Sequence, residues 1–205
     1  MKSLIDRAFY FIAGHGRGWA FSSRDLLGKF SRSQADNLLS ELVKQGKIRR
    51  IARGIYDYPR YSELLKQTLS PDIDEVAKAI ARKFNWRIEI SGESALNMLG
   101  LSTQVPAKYV YHSDGPNRSY DIMGTTLEFK KSALKHIGFK YKESSLIVQA
   151  LKALGEDHIT EEVIETIRKH LDEKTCNKIL KDTYSTTTWI YETIKKICSK
   201  KDQNG

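Results

Sequence analysis

The chain has 205 residues, 40% of them hydrophobic, with 34 Lys and Arg against 25 Asp and Glu, a formal net charge of +9. That length suits one larger domain or two compact ones, and the apolar share is enough for a core without metal or disulfide staples. No stretch approaches the ~18 consecutive apolar residues of a membrane span, and two cysteines, Cys176 and Cys198, are too few for a disulfide framework.

The charge is unevenly spread. Residues 1–60 carry 12 basic and 5 acidic side chains, an excess of +7, whereas the remaining 145 residues have an excess of only +2. The surplus points the first segment toward a polyanionic partner, although charge of this size also serves solubility. Asp6 and Arg7 interrupt the apolar start "MKSLIDRAFYFIAGHG" and no small-residue cleavage site follows. A signal peptide is therefore not expected, and a cytoplasmic location is.

In chain order, Leu4, Ile5, Ala8, Phe9, Phe11 and Ile12 keep helical spacing, and "GHGRG" (14–18) ends that helix. "WAF" (19–21) is a short extended piece, and "SSRDLLGKF" a brief helix capped by Ser22 or Ser23. "SRSQADNLLSELVKQG" has a Ser cap, a periodic core face and Gly46 at its end. Its apolar residues Ala35, Leu38, Leu39 and Leu42 face inward, which turns Ser33, Asn37, Ser40 and Lys44 outward with Gln34 beside them. "KIRRIARGIYDYP" (47–59) reads as two short strands joined at Arg53-Gly54, anchored by Ile48, Ile51, Ile55 and Tyr56.

Residues 60–70 read as a polar linker. "SPDIDEVAKAIARKF" restarts a helix, with Ser70 as its cap and Pro71 in the first turn. "WRIEI" and "KYVYH" are strands on either side of the short helix in "SGESALNMLGL", and "SYDIM" and "TTLEFKK" form a hairpin around Gly124. From Glu143 the pattern is helical, over roughly 143–154, 160–171, 173–182 and 186–199. The tail after residue 199 reads as disordered.

The order helix, short strand, helix, turn, helix, two-stranded hairpin is that of a winged helix-turn-helix. The third helix would present Arg32, Ser33, Gln34, Asn37 and Lys44 to a major groove, where Ser, Asn and Gln pair with base edges. The hairpin would lay Lys47, Arg49, Arg50 and Arg53 along phosphates or in the adjacent minor groove. Winged helices also serve as protein-interaction modules, and charge runs are often only solvated faces.

Other chemistries are weaker. "GHGRG" follows a helix and lacks the dinucleotide-loop spacing; Arg17 in it can still touch phosphate. The five histidines show no zinc-ligand spacing, and "SGESAL" lacks a nucleophile elbow, leaving Ser94 a helix-opening residue. Asp114, Asp121 and the triplet Glu128-Phe129-Lys130 have the acid-then-E-x-K order of metal-dependent nucleases, a minority reading. Trp189, Ile190, Tyr191, Ile194 and Ile197 are read as core, with a partner groove as the alternative.

Over roughly residues 3–135, "IRRIARGIYDYP" followed by "ISGESALNMLGLSTQVPAKYVYHSDGPNRSYDIMGTTLEFKK" resembles the abortive-infection antitoxins of the AbiE type (AbiEi). The resemblance implies a type IV antitoxin that binds inverted repeats in its own promoter as a repressor. It also implies that the protein counters a cognate nucleotidyltransferase toxin without requiring a stable complex with it. Under that resemblance Arg49, Arg50, Arg53 and the polar residues of the third helix are DNA contacts, and no catalytic residue, metal or cofactor is expected.

The expected architecture is α+β: a winged helix-turn-helix over 1–60, a linker over 61–70, and an α/β domain with a helical C-terminal half over 71–199. The alternatives are a stand-alone winged-helix regulator with a sensing C-terminal domain and, behind it, the nuclease.

Overall fold

The computed structural model describes residues 3–102, 108–132 and 139–199. The tail after residue 199 lies outside them. The order is α1 (Leu4–Ala13), β1 (Ala20–Phe21), a 3₁₀ turn (Ser23–Leu26), α2 (Arg32–Lys44), β2 (Arg49–Ala52), β3 (Ile55–Asp57), β4 (Tyr61–Ser62), β5 (Gln67–Thr68) and α3 (Ile73–Phe84). There follow β6 (Ile88–Ile90), α4 (Gly92–Met98), β7 (Lys108–Ser113), β8 (Arg118–Ile122), β9 (Thr125–Lys131), α5 (Lys142–Leu154), a 3₁₀ turn (Glu156–His158), α6 (Glu161–Arg168), α7 (Glu173–Asp182) and α8 (Thr188–Cys198). The fold is mixed α+β. Among the described residues no helix is long and apolar enough to cross a membrane.

Local chemistry places the boundaries. Ser31 and Gln34 form a reciprocal capping box at the start of α2, the Ser31 N–H donating to Gln34 Oε1 at 3.0 Å. At its other end Gly46, at φ +66°, lets the Gly46 and Lys47 N–H groups close on the Val43 and Leu42 carbonyls, a Schellman stop. The cap of α3 is Asp72 rather than Ser70: its carboxylate accepts the N–H groups of Asp74 and Glu75, and Pro71 stays outside the helix. The stretch read as a linker holds a small antiparallel hairpin, with Tyr61 opposite Thr68 and Ser62 opposite Gln67.

The chain divides into two compact units, but not at residues 60–70: one comprises Met1–Ile88 and Ser113–Ser132, the other Glu89–His112 and Ala133–Gly205. In the first unit, Ala8, Ile12, Phe21, Leu26, Phe30, Ala35, Leu39, Leu42 and Ile48 form one buried cluster. Beside it lies an antiparallel sheet of order β1-β3-β2. The boundary moves because α3 packs on β1, β3 and the first 3₁₀ turn, burying Val76, Ala77, Ala79, Ile80 and Ala81. Polar contacts fix it there: Arg82 pairs with Asp25 at 2.6 Å and donates to the Ala20 carbonyl at 2.7 Å. The β8–β9 hairpin belongs to this unit too. Its two-residue turn holds Met123 and Gly124 at φ +53° and +88°, the backbone a tight hairpin with right-handed twist requires.

In the second unit, α4 lies against α5, which also contacts α7 and α8, while α8 contacts α6 and α7. Buried residues include Ile147, Val148, Leu151, Ile164, Ile167, Ile179, Ile190, Ile194 and Ile197, so the apolar residues expected as core on the last helix include three that are. Gly92 permits the close approach of α4 and α5; a Cβ there would lie 2.6 Å from that of Ala153. Arg168 donates to the Lys196 and Ile197 carbonyls at the end of α8. Cys176 and Cys198 are free thiols; burial and the neighbouring Cys176 thiol push the Cys198 thiol upward.

Asp182 accepts the backbone N–H groups of Lys140 and Tyr141, each at 3.0 Å. Burial opposes its charge, but these donors win and hold its carboxyl below the ordinary value. Its contribution to stability is therefore full above about pH 4 and is lost as pH falls through the depressed folded value. Asp182→Asn is expected to flatten the acid limb of a stability-versus-pH curve below about pH 4, and acid titrations followed by circular dichroism check it.

Candidate nucleic-acid interface

The candidate interface lies in the first unit. Arg32 stands in the first turn of α2, fixed by the Ser31–Gln34 capping box, and is exposed. Arg50 is exposed on β2, where Ile51 turns inward at 7% exposure. Arg53 is exposed at the β2–β3 turn, where Gly54 takes φ +70°. From α3, Lys83 Nζ donates to the Arg53 carbonyl at 3.0 Å and approaches that of Gly54 at 3.5 Å. The turn is thus braced from below, and its backbone at φ +70° favours glycine at position 54.

Partial burial pushes the Lys83 ammonium below its ordinary value, and Arg53, Arg118, Arg32 and Arg50, in that order, push it further. Five cations from four elements thus share one field. None of the four arginines has a carboxylate partner among the described residues. Such unneutralised charge is a standing attraction for a polyanion, and it repels within the cluster until one binds.

The nine residues expected as DNA contacts separate in the structure. Arg50 and Arg53 share the β2–β3 hairpin, and their charges and that of Arg32 all act on Lys83. Ser33 is exposed, its Oγ 3.3 Å from that of Ser31. Gln34 is exposed, but its carbonyl oxygen is occupied by the cap. Asn37 and Lys44 are exposed farther along α2 and line, with Ser40, Leu4, Ile5 and Leu38, an open groove of about 680 Å³ beside the start of α1. Lys47 is half-buried, its ammonium 5.3 Å from the Phe9 ring centre. Arg49 is half-buried. It faces Asp57 across the β2–β3 pair and grips its carboxylate with two bonds, at 3.0 and 2.6 Å, and the Leu69 carbonyl at 3.1 Å. Its guanidinium, 22% exposed, is engaged within the fold, which sets it apart from Arg50 and Arg53, and the cause is the strand register.

Two contributors were not anticipated from the sequence, Lys83 and Arg118. Both sit outside residues 1–60, and their only signal is a basic side chain beside aromatics in "KFNW" and "NRSY". Arg17 in the "GHGRG" turn donates to the Pro59 carbonyl at 2.9 Å and lies over the Tyr58 ring.

The residues of the nuclease reading are engaged separately. Asp114 accepts from the Arg87 backbone N–H and side chain at 2.8 and 2.9 Å, which holds its carboxyl below the ordinary range. Asp121 accepts the Gly124 N–H within the hairpin turn. Glu128 and Lys130 share one face of β9, opposite Leu127 and Phe129. Among the described residues, no group of three or more His, Cys, Asp or Glu side chains is placed to hold a metal.

No curated protein matches this sequence. A crystal structure of the RV2827C protein from Mycobacterium tuberculosis is similar over 94% of this chain and 75% of that one, with 12% identity and a TM-score of 0.41. A family profile described as "Family of unknown function (DUF6088)" matches residues 11–179, most of the chain, and the chain belongs to that family.

Proposed function

We propose that this member of the DUF6088 family binds duplex DNA through a winged helix-turn-helix made of α1, β1, α2 and the β2–β3 hairpin. The single observation that carries the reading is the β2–β3 hairpin, which Lys83 braces at its turn and which exposes Arg50 and Arg53 without a carboxylate partner among the described residues; Arg32, exposed at the start of α2, adds to the same field. A helix start adds its own partial positive charge and free N–H groups, so phosphates gain from both. Arg32, Arg50 and Arg53 hold the backbone, and Ser33 and Asn37 on the exposed face of α2 read base edges.

The antitoxin part of the proposal rests on the resemblance of the strand–"SGESALNMLGLSTQVPAK"–strand block to AbiE-type antitoxins; residues 103–107 of it lie outside the described structure. Under it, the protein is cytoplasmic, represses the promoter of its own operon at inverted repeats, and counteracts a nucleotidyltransferase toxin encoded beside it. It needs no cofactor and catalyses no reaction.

The test has two arms. The protein is expected to bind the duplex upstream of its own gene more tightly than a scrambled one, and co-expression with the neighbouring toxin is expected to restore growth. Binding to neither duplex ends the DNA reading, and continued growth arrest ends the antitoxin reading. Within the first arm, Asn37→Ala is expected to lose about 1–3 kcal/mol of discrimination at one base position, with the salt dependence unchanged. Binding to a library of single-base operator variants measures it.

A further inference from the structure

We infer that the β8–β9 hairpin carries a second phosphate grip, Arg118, which extends the duplex-docking face beyond the wing. This deepens the duplex-DNA reading above and rests on it.

The geometry around Arg118 is that of a prepared contact. Its guanidinium lies over two aromatic faces, 5.0 Å from the ring centre of Phe84 and 5.7 Å from that of Trp86. Those rings stack on each other at 4.9 Å, and Trp86 meets Phe129 of β9 edge-on at 5.6 Å. The Trp86 ring also lies flat against Gly115, where any Cβ would fall inside it. The platform under the guanidinium is therefore fixed from three sides. A planar, weakly hydrated cation held on such a platform has lost much of its side-chain freedom before a ligand arrives. Yet Arg118 is exposed and makes no ion pair among the described residues, so the ordered head is available.

Its position gives the charge a direction. Strand β8 lies against β2, the strand that carries Arg50, within the same compact unit. Lys83 stands where the fields of Arg53 and Arg118 are the two largest upon it. A phosphate backbone leaving the wing thus meets a further cation on a neighbouring strand rather than bare surface. Duplex DNA, with a charge roughly every 1.7 Å along its axis, fits a continuous strip of this kind. It also supplies a reason for a hairpin some sixty residues later in the chain to be folded into the first unit.

The test uses the full chain and two labelled duplexes, the one upstream of its own gene and a scrambled one, titrated at several salt concentrations. Arg118→Ala is expected to weaken binding to both about equally, by roughly tenfold, and to reduce the slope of log K against log salt by about one unit. Hydroxyl-radical footprints are expected to lose protection at one edge only, and Arg118→Gln, which keeps a planar polar head without the charge, to behave like the alanine variant. If Arg118→Ala keeps the wild-type slope and footprint while Arg50→Ala/Arg53→Ala weakens binding, the second grip is wrong and the DNA reading stands. If neither variant changes binding, the DNA reading itself fails, and the grip with it.

Discussion

Arg50→Ala/Arg53→Ala is expected to weaken duplex binding by roughly a hundredfold and to lower the salt slope by about two units. Each lost charge-assisted contact is worth about 1.5 kcal/mol at the low end, which for two gives about 3 kcal/mol. Counterion release assigns close to one unit of slope to each phosphate no longer neutralised. Both side chains are exposed and neither joins the core, so the loss is not one of folding. Binding isotherms at several salt concentrations, on specific and scrambled duplexes, check the effect. A double variant with the wild-type slope removes the wing from the interface.

Arg49, one residue from Arg50, is expected to behave in the opposite way. Its partner Asp57 has 2% of its side chain exposed, so Arg49→Met leaves a buried carboxylate without compensation. Removing one member of a fully buried pair costs about 3–5 kcal/mol; with Arg49 22% exposed the cost is expected at or below the low end of that range, still a large share of the roughly 5–15 kcal/mol that holds a domain together. The urea midpoint of the first unit is expected to fall accordingly, followed through Trp19 and Trp86. Arg49→Met/Asp57→Leu is expected to recover most of the loss, because two apolar groups impose no desolvation penalty. At salt and urea concentrations where Arg49→Met is folded, its DNA salt slope is expected to be that of the wild type. A variant with unchanged stability and one unit less slope would return Arg49 to the phosphate contacts.

The two arginines show how far the sequence reached. "KIRRI" announces a basic strand, and alternation along it places Arg49 and Arg50 on opposite faces. Which face meets solvent depends on what opposes it, and Asp57 opposes Arg49 only through the β2–β3 register and the bulge between Arg50 and Ala52. The Ser cap of α2 and Gly46 at its end were legible because they are local and act within a few residues of themselves. The cap of α3 slipped from Ser70 to Asp72 because two capping residues compete there, and the carboxylate accepts two N–H groups.

By itself the sequence determined the helices and the one hairpin of the first sixty residues, the inward face of α2, the outward Ser33 and Asn37, and the concentration of positive charge. These follow from periodicity, capping and composition, which act over one or two turns of chain. Only the tertiary structure decided that α3 and β8–β9 belong with that segment, that Arg49 is bound inside it, and that Lys83 and Arg118 join Arg50 and Arg53. Those outcomes depend on contacts between residues up to about seventy positions apart. Burial of apolar faces selects such contacts, and no local pattern encodes them.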